Sequence, residues 1–393
     1  MPAGDAVFAC CLLLLLGSAS GNGGSSVSTT TPLPAGGGSL PLWVQQLAVA
    51  SGVPAPTLGA LDGKHLVVSP NARGGDGQFS SINAALAAAA AEDLSGRNRF
   101  IIFIDEGVYD ETVNFTMEKV ILVGQGIGMS VITGNKSVEF DNLTTQQTAT
   151  LSFHGKGFMA QGLTIRNTAG PAGKQAVAFM SRSHNSLIFR CSIQGYQETL
   201  DADTGFQMYV ETDIHGTVDF VFGYAHAVFI GCRLLVRHPG AAAGHNVVTA
   251  QGRSNPEDKS GFVFQNCSLT ADQGANLTGV ETFLGRPWKN HSHVVFMESF
   301  LDAIVDPLGW IEWNRTHGEI PSTVRYLEYG NSGPGADTTG RVKNPAVRVA
   351  TCSEAAEYTA DRFVDAKDWM VPATEPKVTI PYPRGLQHPC PAA

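Results

Sequence analysis

Short apolar runs recur along the chain from about residue 65 onward, and polar or Gly-rich turns separate them. In several runs a small, polar or Cys residue stands two places before an aliphatic residue, and successive pairs lie 30, 21, 20, 35 and 32 residues apart. Repeats of this length without helices between the strands predict an all-β, parallel β-helix. A β-sandwich is the alternative, but the constant register favours stacking. The pairs are Gln161/Leu163, Cys191/Ile193, Thr212/Ile214, Cys232/Leu234, Cys267/Leu269 and Ser299/Leu301.

One helix is predicted ahead of the repeats, from Ile82 to Leu94, because this segment is rich in Ala and follows Ser80 and Ser81, either of which can serve as its N-cap. Glu92 and Asp93 oppose the helix dipole, so the last turn should be weak. A short helix in this place suits a cap over the open end of a solenoid.

The N-terminus has the pattern of a secretory signal peptide over residues 1–20, with an apolar core from Ala6 to Leu16 and small residues after it. A buried strand is the alternative, since no Lys or Arg precedes the core. Residues 21–63 read as a low-complexity linker and N-terminal arm. Residues 64–393 form the main domain, whose Pro-rich tail from Asp361 we expect to cross the surface as extended chain. No apolar run is long enough to span a bilayer, so no membrane association is expected.

The composition narrows the function. A formal charge of −9 argues against a nucleic-acid partner, and 43% hydrophobic with 16% charged residues indicates a large core. No C-x-x-C or H-E-x-x-H motif occurs, so no metal site is expected. Frequent Asn-x-Ser/Thr sequons predict a secreted glycoprotein, with Asn266 doubtful because it falls within a predicted strand. The sequon residues are Asn114, Asn135, Asn142, Asn266, Asn276, Asn290 and Asn314.

Three polar positions follow the repeat. Gln175, Glu198 and Asp219 are 23 and 21 residues apart, and the second interval equals that between Ile193 and Ile214. Because neighbouring coils stack about 4.8 Å apart, the two carboxyls should lie close together on one face. One pKa should then rise while the other stays low, which yields an acid and a carboxylate together. Gln175 and Gln197 supply amide donors for an oxyanion. A polar ladder that only satisfies hydrogen bonds is the alternative.

Eight ordered blocks between about residues 65 and 370 resemble plant pectin methylesterases, a family of right-handed parallel β-helices. Two surround the acid pair, Gly195-Tyr196-Gln197-Glu198-Thr199-Leu200 and Gly216-Thr217-Val218-Asp219-Phe220-Val221-Phe222-Gly223. The others are Gly107-Val108-Tyr109-Asp110-Glu111, Gln175-Ala176-Val177-Ala178, Thr249-Ala250-Gln251-Gly252-Arg253, Leu284-Gly285-Arg286-Pro287-Trp288, Gly309-Trp310-Ile311-Glu312-Trp313-Asn314 and Asn331-Ser332-Gly333-Pro334-Gly335-Ala336.

The resemblance implies hydrolysis of galacturonate methyl esters in pectin, without a metal or organic cofactor. Asp219 matches the nucleophile and Glu198 the general acid/base. Gln197 and Gln175 match the groups that stabilise the oxyanion.

The resemblance also implies supporting roles. Arg286 matches the residue that orients the nucleophile and contacts substrate, Trp288 a sugar-stacking aromatic, and Thr145 a substrate contact. Cys232 and Cys267 match a pair that the family often bridges, with Cys191 left without its usual partner. Expected partners are methyl-esterified pectin and a proteinaceous pectinesterase inhibitor, for a monomer secreted to the cell wall. Only about 64 residues precede the blocks, too few for the inhibitor-like pro-domain of many relatives.

Some positions depart from the family pattern. Glu198 stands where Asp is usual, Tyr224 where Asn commonly follows Phe-Gly, and Phe179-Met180 where Leu-Arg is usual. These changes keep open a catalytically weak or inactive pectin-binding β-helix. A β-helix polysaccharide lyase is less favoured, since no Ca²⁺-binding carboxylate block occurs. A serine esterase is disfavoured, since no G-x-S-x-G occurs.

Overall fold

The computed structural model describes residues 65–72, 77–91, 100–240, 244–314, 318–370 and 382–390. The predicted signal peptide (1–20) and the whole of the predicted linker and arm (21–63) lie outside these residues and stay predictions. Among the helices that the structure describes, none combines the length and apolar character needed to cross a membrane.

The described chain winds into coils, and each complete coil places one strand in each of three parallel sheets, so the predicted parallel β-helix is confirmed. Sheet A has twelve strands: β1 (His65–Val68), β2 (Gln78–Phe79), β3 (Phe100–Ile104), β6 (Val120–Gly124), β9 (Met159–Gln161), β12 (Ser186–Phe189), β15 (Phe206–Val210), β18 (His226–Ile230), β21 (Gly261–Gln265), β24 (His293–Met297), β26 (Arg325–Tyr329) and β27 (Val347–Val349). Sheet B has eight: β4 (Gly107–Asp110), β7 (Ser130–Gly134), β10 (Thr164–Asn167), β13 (Ser192–Gln194), β16 (Asp213–Gly216), β19 (Arg233–Val236), β22 (Ser268–Ala271) and β25 (Phe300–Leu301). Sheet C has seven: β5 (Val113–Phe115), β8 (Leu151–Phe153), β11 (Phe179–Ser181), β14 (Leu200–Ala202), β17 (Val218–Gly223), β20 (His245–Gln251) and β23 (Glu281–Gly285).

Stacked side chains fill the core between the sheets. The ring of Phe229 lies 4.6 Å from that of Tyr209 and 4.5 Å from that of Phe264, and Phe264 lies 4.5 Å from Phe296, all nearly parallel. This spacing is close to the strand separation in a sheet, so each coil adds one ring to a continuous apolar column.

A two-residue turn joins sheet A to sheet B on most coils and explains the repeat seen in the sequence. Its first residue is left-handed, as at Glu211 (φ 47°) and Asn266 (φ 54°), and its second residue turns into the core. Asn266 therefore lies in an exposed turn between β21 and β22, and its predicted place within a strand is wrong. The predicted register is confirmed from Ile193 onward. It is wrong at Leu163, because Ile165 pairs with Ile193.

Helix α1 (Ile82–Ala90) packs on the first coil and buries Ile82, Leu86 and two alanines, as expected of a cap. The Ser81 side chain accepts a hydrogen bond from the Ala84 amide, which confirms the predicted N-cap. The helix ends at Ala90, so the predicted end at Leu94 is wrong. Acidic residues 92 and 93 would oppose the dipole of a longer helix.

A further correction concerns the C-terminal region. A short helix, α2 (Val138–Asp141), lies in the middle of the chain, and α3 (Cys352–Ala356) precedes the tail. The tail that was predicted to be extended begins with two more helices, α4 (Ala360–Phe363) and α5 (Ala366–Trp369). Residues 382–390 then contact the turn at Glu298. The Glu298 carboxylate accepts a hydrogen bond from the backbone N–H of Gln387 at 2.7 Å. A disulfide joins Cys352 to Cys390.

The predicted Cys232–Cys267 disulfide is wrong, because both thiols are free and buried, as is Cys191. The Cys232 thiol donates to the Tyr209 carbonyl at 3.3 Å and the Cys267 thiol to the Phe229 carbonyl at 3.4 Å. The two thiols also lie within hydrogen-bonding distance of each other.

Candidate active site

The two candidate acids occupy equivalent places on neighbouring coils of sheet C. Leu200 of β14 pairs with Val221 of β17, and Glu198 and Asp219 each stand two residues earlier. Both have left-handed backbone conformations, with φ of 60° and 51°, which non-glycine residues rarely adopt. The prediction drawn from the 21-residue interval is thus met in the register of the strands.

A β-bulge sets the direction of the Asp219 side chain. The pairing of β17 with β20 shifts between Val218 and Val221, so Asp219 and Phe220 form the irregular step. Gly216 makes room for this step, because a Cβ added there would lie 2.1 Å from the Cβ of Phe220. The block from Gly216 to Gly223 therefore encodes a bend in the backbone as well as a carboxyl group.

Asp219 is held by a two-pronged ion pair. Arg286 Nε donates to Asp219 Oδ1 at 2.8 Å and Nη2 donates to Oδ2 at 2.6 Å. The Asp219 residue is only 2% exposed. Burial raises the pKa of Asp219 above its usual value, and the guanidinium of Arg286 opposes that rise. The geometry agrees with the orienting role implied for Arg286.

Glu198 lies beside this pair and is partly open to solvent. Burial, followed by the charge of Asp219, raises the pKa of Glu198 to about 8, although hydrogen bonds from Thr145 and Gln197 lower it. At neutral pH Glu198 is therefore mainly protonated. Burial raises the pKa of Asp219 as well, so the expectation that one of the two pKa values stays low is wrong.

The candidate amides lie on neighbouring coils, Gln197 beside Glu198 and Gln175 one coil before it. Gln175 pairs with Gln197 in an isolated parallel bridge, and the Ala176 amide donates to the Gln197 carbonyl at 3.2 Å. The coil partner of Gln175 is thus Gln197 rather than Glu198. Thr145, predicted as a substrate contact, lies close enough to hydrogen-bond Glu198 and so borders the acid pair.

Aromatic rings border the site on the Arg286 side. Trp288 packs 4.7 Å from the ring of Tyr224, and the guanidinium of Arg286 lies 4.4 Å from the ring of Trp313. Trp313 is 42% exposed, whereas Trp310 is fully buried in the core. Of these two tryptophans, only Trp313 reaches the site.

Sequence reasoning missed a buried acid on the same sheet as the acid pair. Asp201 of β14 is 1% exposed and lies between Met180 and Phe222 in the register of sheet C. Its place in the strand could have been predicted from the sequence. Leu200 and Ala202 point into the core, so the alternation of a strand turns Asp201 to the outer face.

A second polar constellation lies on the outer face of sheet B. Ser192 Oγ lies 3.3 Å from His215 Nε2, and His215 Nδ1 lies 3.0 Å from Asp272 Oδ2. This is the order of a serine-hydrolase triad, but Ser192 is 1% exposed. The arrangement is therefore a closed hydrogen-bond network. In the described part of the chain, no group of three or more His, Cys, Asp or Glu could hold a metal ion.

The fold and the site together define a β-helix protein with two neighbouring carboxyl groups on one sheet, one of them paired with Arg. The Pectinesterase family model matches residues 66–367, and the chain belongs to this family. It is 40% identical over 319 residues to Pectinesterase 2 of Citrus sinensis, covering 80% of this chain and 60% of that protein. It is 41% identical over 308 residues to a pectinesterase/pectinesterase inhibitor of Arabidopsis thaliana, covering 78% and 64%. The chain thus spans about three fifths of the length of these curated relatives.

Solved structures show the same architecture. Pectin methylesterase from carrot superposes with a TM-score of 0.75 at 35% identity, covering 82% of this chain and 98% of that one. A pectin methylesterase in complex with a hexasaccharide superposes with a TM-score of 0.64 at 26% identity, covering 81% and 99%.

Proposed function

We propose that this protein hydrolyses methyl esters of galacturonate units in pectin, releasing methanol and leaving the free carboxylate on the polymer. The observation that carries the proposal is the Asp219–Arg286 ion pair beside a Glu198 carboxyl whose pKa is about 8. Glu198 can supply the proton that the leaving alkoxide needs, and the guanidinium of Arg286 favours the carboxylate form of Asp219, and ester hydrolysis through an acyl intermediate requires both groups.

In the first half of the reaction, an Asp219 oxygen attacks the ester carbonyl carbon and the carbonyl electrons move onto its oxygen. The amides of Gln175 and Gln197 donate to this oxyanion. The tetrahedral intermediate collapses, the bond to methoxide breaks, and Glu198 gives its proton to the leaving oxygen. Methanol departs and a mixed anhydride with Asp219 remains.

In the second half, the Glu198 carboxylate takes a proton from water, and the oxygen of that water attacks the galacturonate carbonyl of the anhydride. Collapse expels the Asp219 carboxylate, which Arg286 stabilises. Glu198 is protonated again, so one ester and one water have become one acid and one methanol.

The setting follows from the same proposal. We place the activity outside the cell, at the wall, because all seven sequon asparagines are exposed, as glycosylation requires. We further propose that the protein acts as a monomer and that a proteinaceous pectinesterase inhibitor can block the cleft. The inhibitor proposal follows from the family resemblance.

The test is methanol release from highly methylated pectin by the wild type and by Asp219→Asn. A matched control is Asp213→Asn, because Asp213 forms a similar ion pair with Arg233 on sheet B, away from the cleft. We expect loss of activity in Asp219→Asn and retention in Asp213→Asn. Equal rates for the wild type and Asp219→Asn would remove the esterase proposal and favour a pectin-binding protein.

A further inference from the structure

Both acids stand at turns that lead from sheet B to sheet C. Glu198 lies in the turn between β13 and β14, and Asp219 lies just after the turn between β16 and β17. Arg237, which follows β19 on the next coil, contacts the start of each turn. Its backbone N–H donates to the Gly216 carbonyl at 2.8 Å, and its Nη1 donates to the Gly195 carbonyl at 3.0 Å. One residue therefore joins the two coils that carry the acids.

Contacts with the Gly195 carbonyl, a carboxylate and an aromatic ring hold the Arg237 guanidinium in place. Asp272 Oδ2 accepts a hydrogen bond from Arg237 Nε at 2.8 Å and also lies 3.0 Å from His215 Nδ1. Burial would raise the pKa of Asp272, but hydrogen bonds with Arg237 and His215 lower it below its usual value, so Asp272 stays ionised at neutral pH. The guanidinium carbon also lies 5.3 Å from the centre of the Tyr196 ring. The side chain is thus fixed against the turn between β13 and β14.

The backbone between Gly195 and Glu198 also bonds to the coil that carries the second acid. The Tyr196 carbonyl accepts from the Thr217 N–H at 2.9 Å, and the Glu198 N–H donates to the Val218 carbonyl at 2.9 Å. Glu198 has a left-handed backbone, with φ of 60°, which persists only where the surrounding structure holds it. Because Gly195 stands only three residues before Glu198, the position of the carboxyl group depends on the support at Gly195.

We propose that Arg237 is a positioning residue for ester hydrolysis, which keeps the turns of Glu198 and Asp219 at a fixed separation on neighbouring coils. The inference rests on the proposed function and adds to it a residue whose described contacts include neither acid. Loss of the guanidinium leaves the Gly195 carbonyl without this donor and Asp272 without this ion-pair partner. The turn is then free to move outward, which displaces the acid from the leaving oxygen and admits water beside it.

The first test compares methanol release by the wild type, Arg237→Met and Arg233→Met. Arg233 begins the strand that ends just before Arg237 and forms an ion pair with Asp213 on sheet B, so its variant removes the same charge away from both turns. We expect kcat to fall on the order of 10- to 100-fold in Arg237→Met and KM to change by less than about twofold, because a misplaced acid slows the chemical step while the binding surface stays. Arg233→Met should keep the wild-type values. Equal kcat values for Arg237→Met and the wild type would overturn the inference.

The second test follows the ionisation of Glu198 by an NMR titration of labelled glutamate carboxyl groups and needs no turnover; Glu198→Gln assigns the signal. Burial, followed by the charge of Asp219, raises the pKa of Glu198 to about 8, and Arg286 opposes that rise. Asp201, another acid nearby, is neutral near neutral pH because burial raises its pKa well above the usual value. Arg237→Met should bring the Glu198 pKa closer to 4.5, since water replaces part of the burial. Removal of a cation alone would instead raise the pKa, so a fall identifies the displaced turn.

The two measurements together separate positioning from a loss of folded protein. A drop in kcat with an unchanged Glu198 titration would overturn the inference, because a smaller folded fraction lowers the rate without altering the acid. The basic limb of the kcat profile should move to lower pH in Arg237→Met, since the acid form of Glu198 is then lost earlier. If Arg237→Met does not fold, Arg237→Lys serves instead, because one ammonium cannot make both contacts and should give a smaller shift in the same direction. No methanol from the wild type contradicts the esterase proposal, whereas the titration still tests the position of Glu198.

Discussion

Replacing Glu198 with Gln should abolish ester hydrolysis and yet stabilise the folded protein at alkaline pH. The Glu198 carboxyl is protonated in the folded state up to about pH 8, because burial and Asp219 raise its pKa from the usual 4.5. In the unfolded chain the Glu198 carboxyl ionises near its usual pKa of 4.5, so the unfolded state is stabilised relative to the folded state as the pH rises. Gln cannot ionise in either state, so the variant is free of this penalty.

The sign and size of the effect follow from linkage. A group whose folded pKa is raised costs nothing below the unfolded pKa of 4.5, and its cost grows until the pH reaches the folded value of about 8. At about 1.4 kcal/mol for each pH unit, the cost is ~1 kcal/mol at pH 5 and ~5 kcal/mol at pH 9. Because Glu198 is partly open to solvent, the difference of ~4 kcal/mol is an upper limit.

Thermal unfolding of the wild type and of Glu198→Gln at pH 5, 7 and 9 measures the effect. We expect the variant to gain Tm progressively, on the order of 10 °C at pH 9, and little at pH 5. Glu211→Gln is the matched control, since Glu211 forms an exposed pair with Arg190 on another turn and should show no such gain. A gain for Glu198→Gln that is the same at pH 5 and pH 9 would refute the reasoning.

Four further outcomes are expected. Glu198→Asp should fold, because Asp adopts a left-handed backbone more readily, but its withdrawn carboxyl should slow methanol release by up to about 100-fold; an unchanged rate would show that the backbone adjusts. Ser192→Ala should keep the wild-type rate, and serine-directed phosphonates should not inhibit the protein. Loss of activity in either test would show that the sheet B network is catalytic. Cys352→Ser opens a loop closed across 38 residues and should lower the free energy of unfolding by about 4 kcal/mol, measured by denaturant titration. Trp313→Ala should expose Arg286 to water, lower kcat and shift the acid limb of the pH profile to higher pH, and Trp313→Phe should restore both kcat and the pH profile. A change in KM alone would show that Trp313 only contacts the sugar.

The coil register and the acid pair were accessible from sequence because the repeat preserves both. Each coil must return its apolar side chains to the same column, so an interval such as that between Ile193 and Ile214 fixes which residues become neighbours. Glu198 and Asp219 share that interval, and their relation followed without any other information. The predicted register is wrong at Leu163 because Gln161 and Leu163 also fit the spacing of the repeat. The residue that pairs with Ile193 is Ile165, two places later.

Contacts that depend on the exact path of loops were not accessible from the repeat. Cys352 and Cys390 meet because the C-terminal segment returns to the coils, and no periodicity specifies that return. The burial of Asp201 depends on what packs above it, since its neighbours in sequence predict only the face on which it lies. The thiols of Cys232 and Cys267 lie on neighbouring coils as expected. They donate hydrogen bonds to backbone carbonyls instead of forming the expected disulfide.

The left-handed backbone at both acids makes the substitution tests interpretable. A non-glycine residue with positive φ costs on the order of 1 kcal/mol, and this cost at Glu198 and Asp219 is carried by the coils that fix the strands on either side. Asn and Asp tolerate this conformation best among residues with side chains. Asp219→Asn therefore relieves no strain and adds none, while it removes the charge that attacks the ester. Loss of methanol release in that variant would thus report on the chemistry of the carboxylate, while any fall in Tm would report the guanidinium of Arg286 left without its partner rather than a strained backbone.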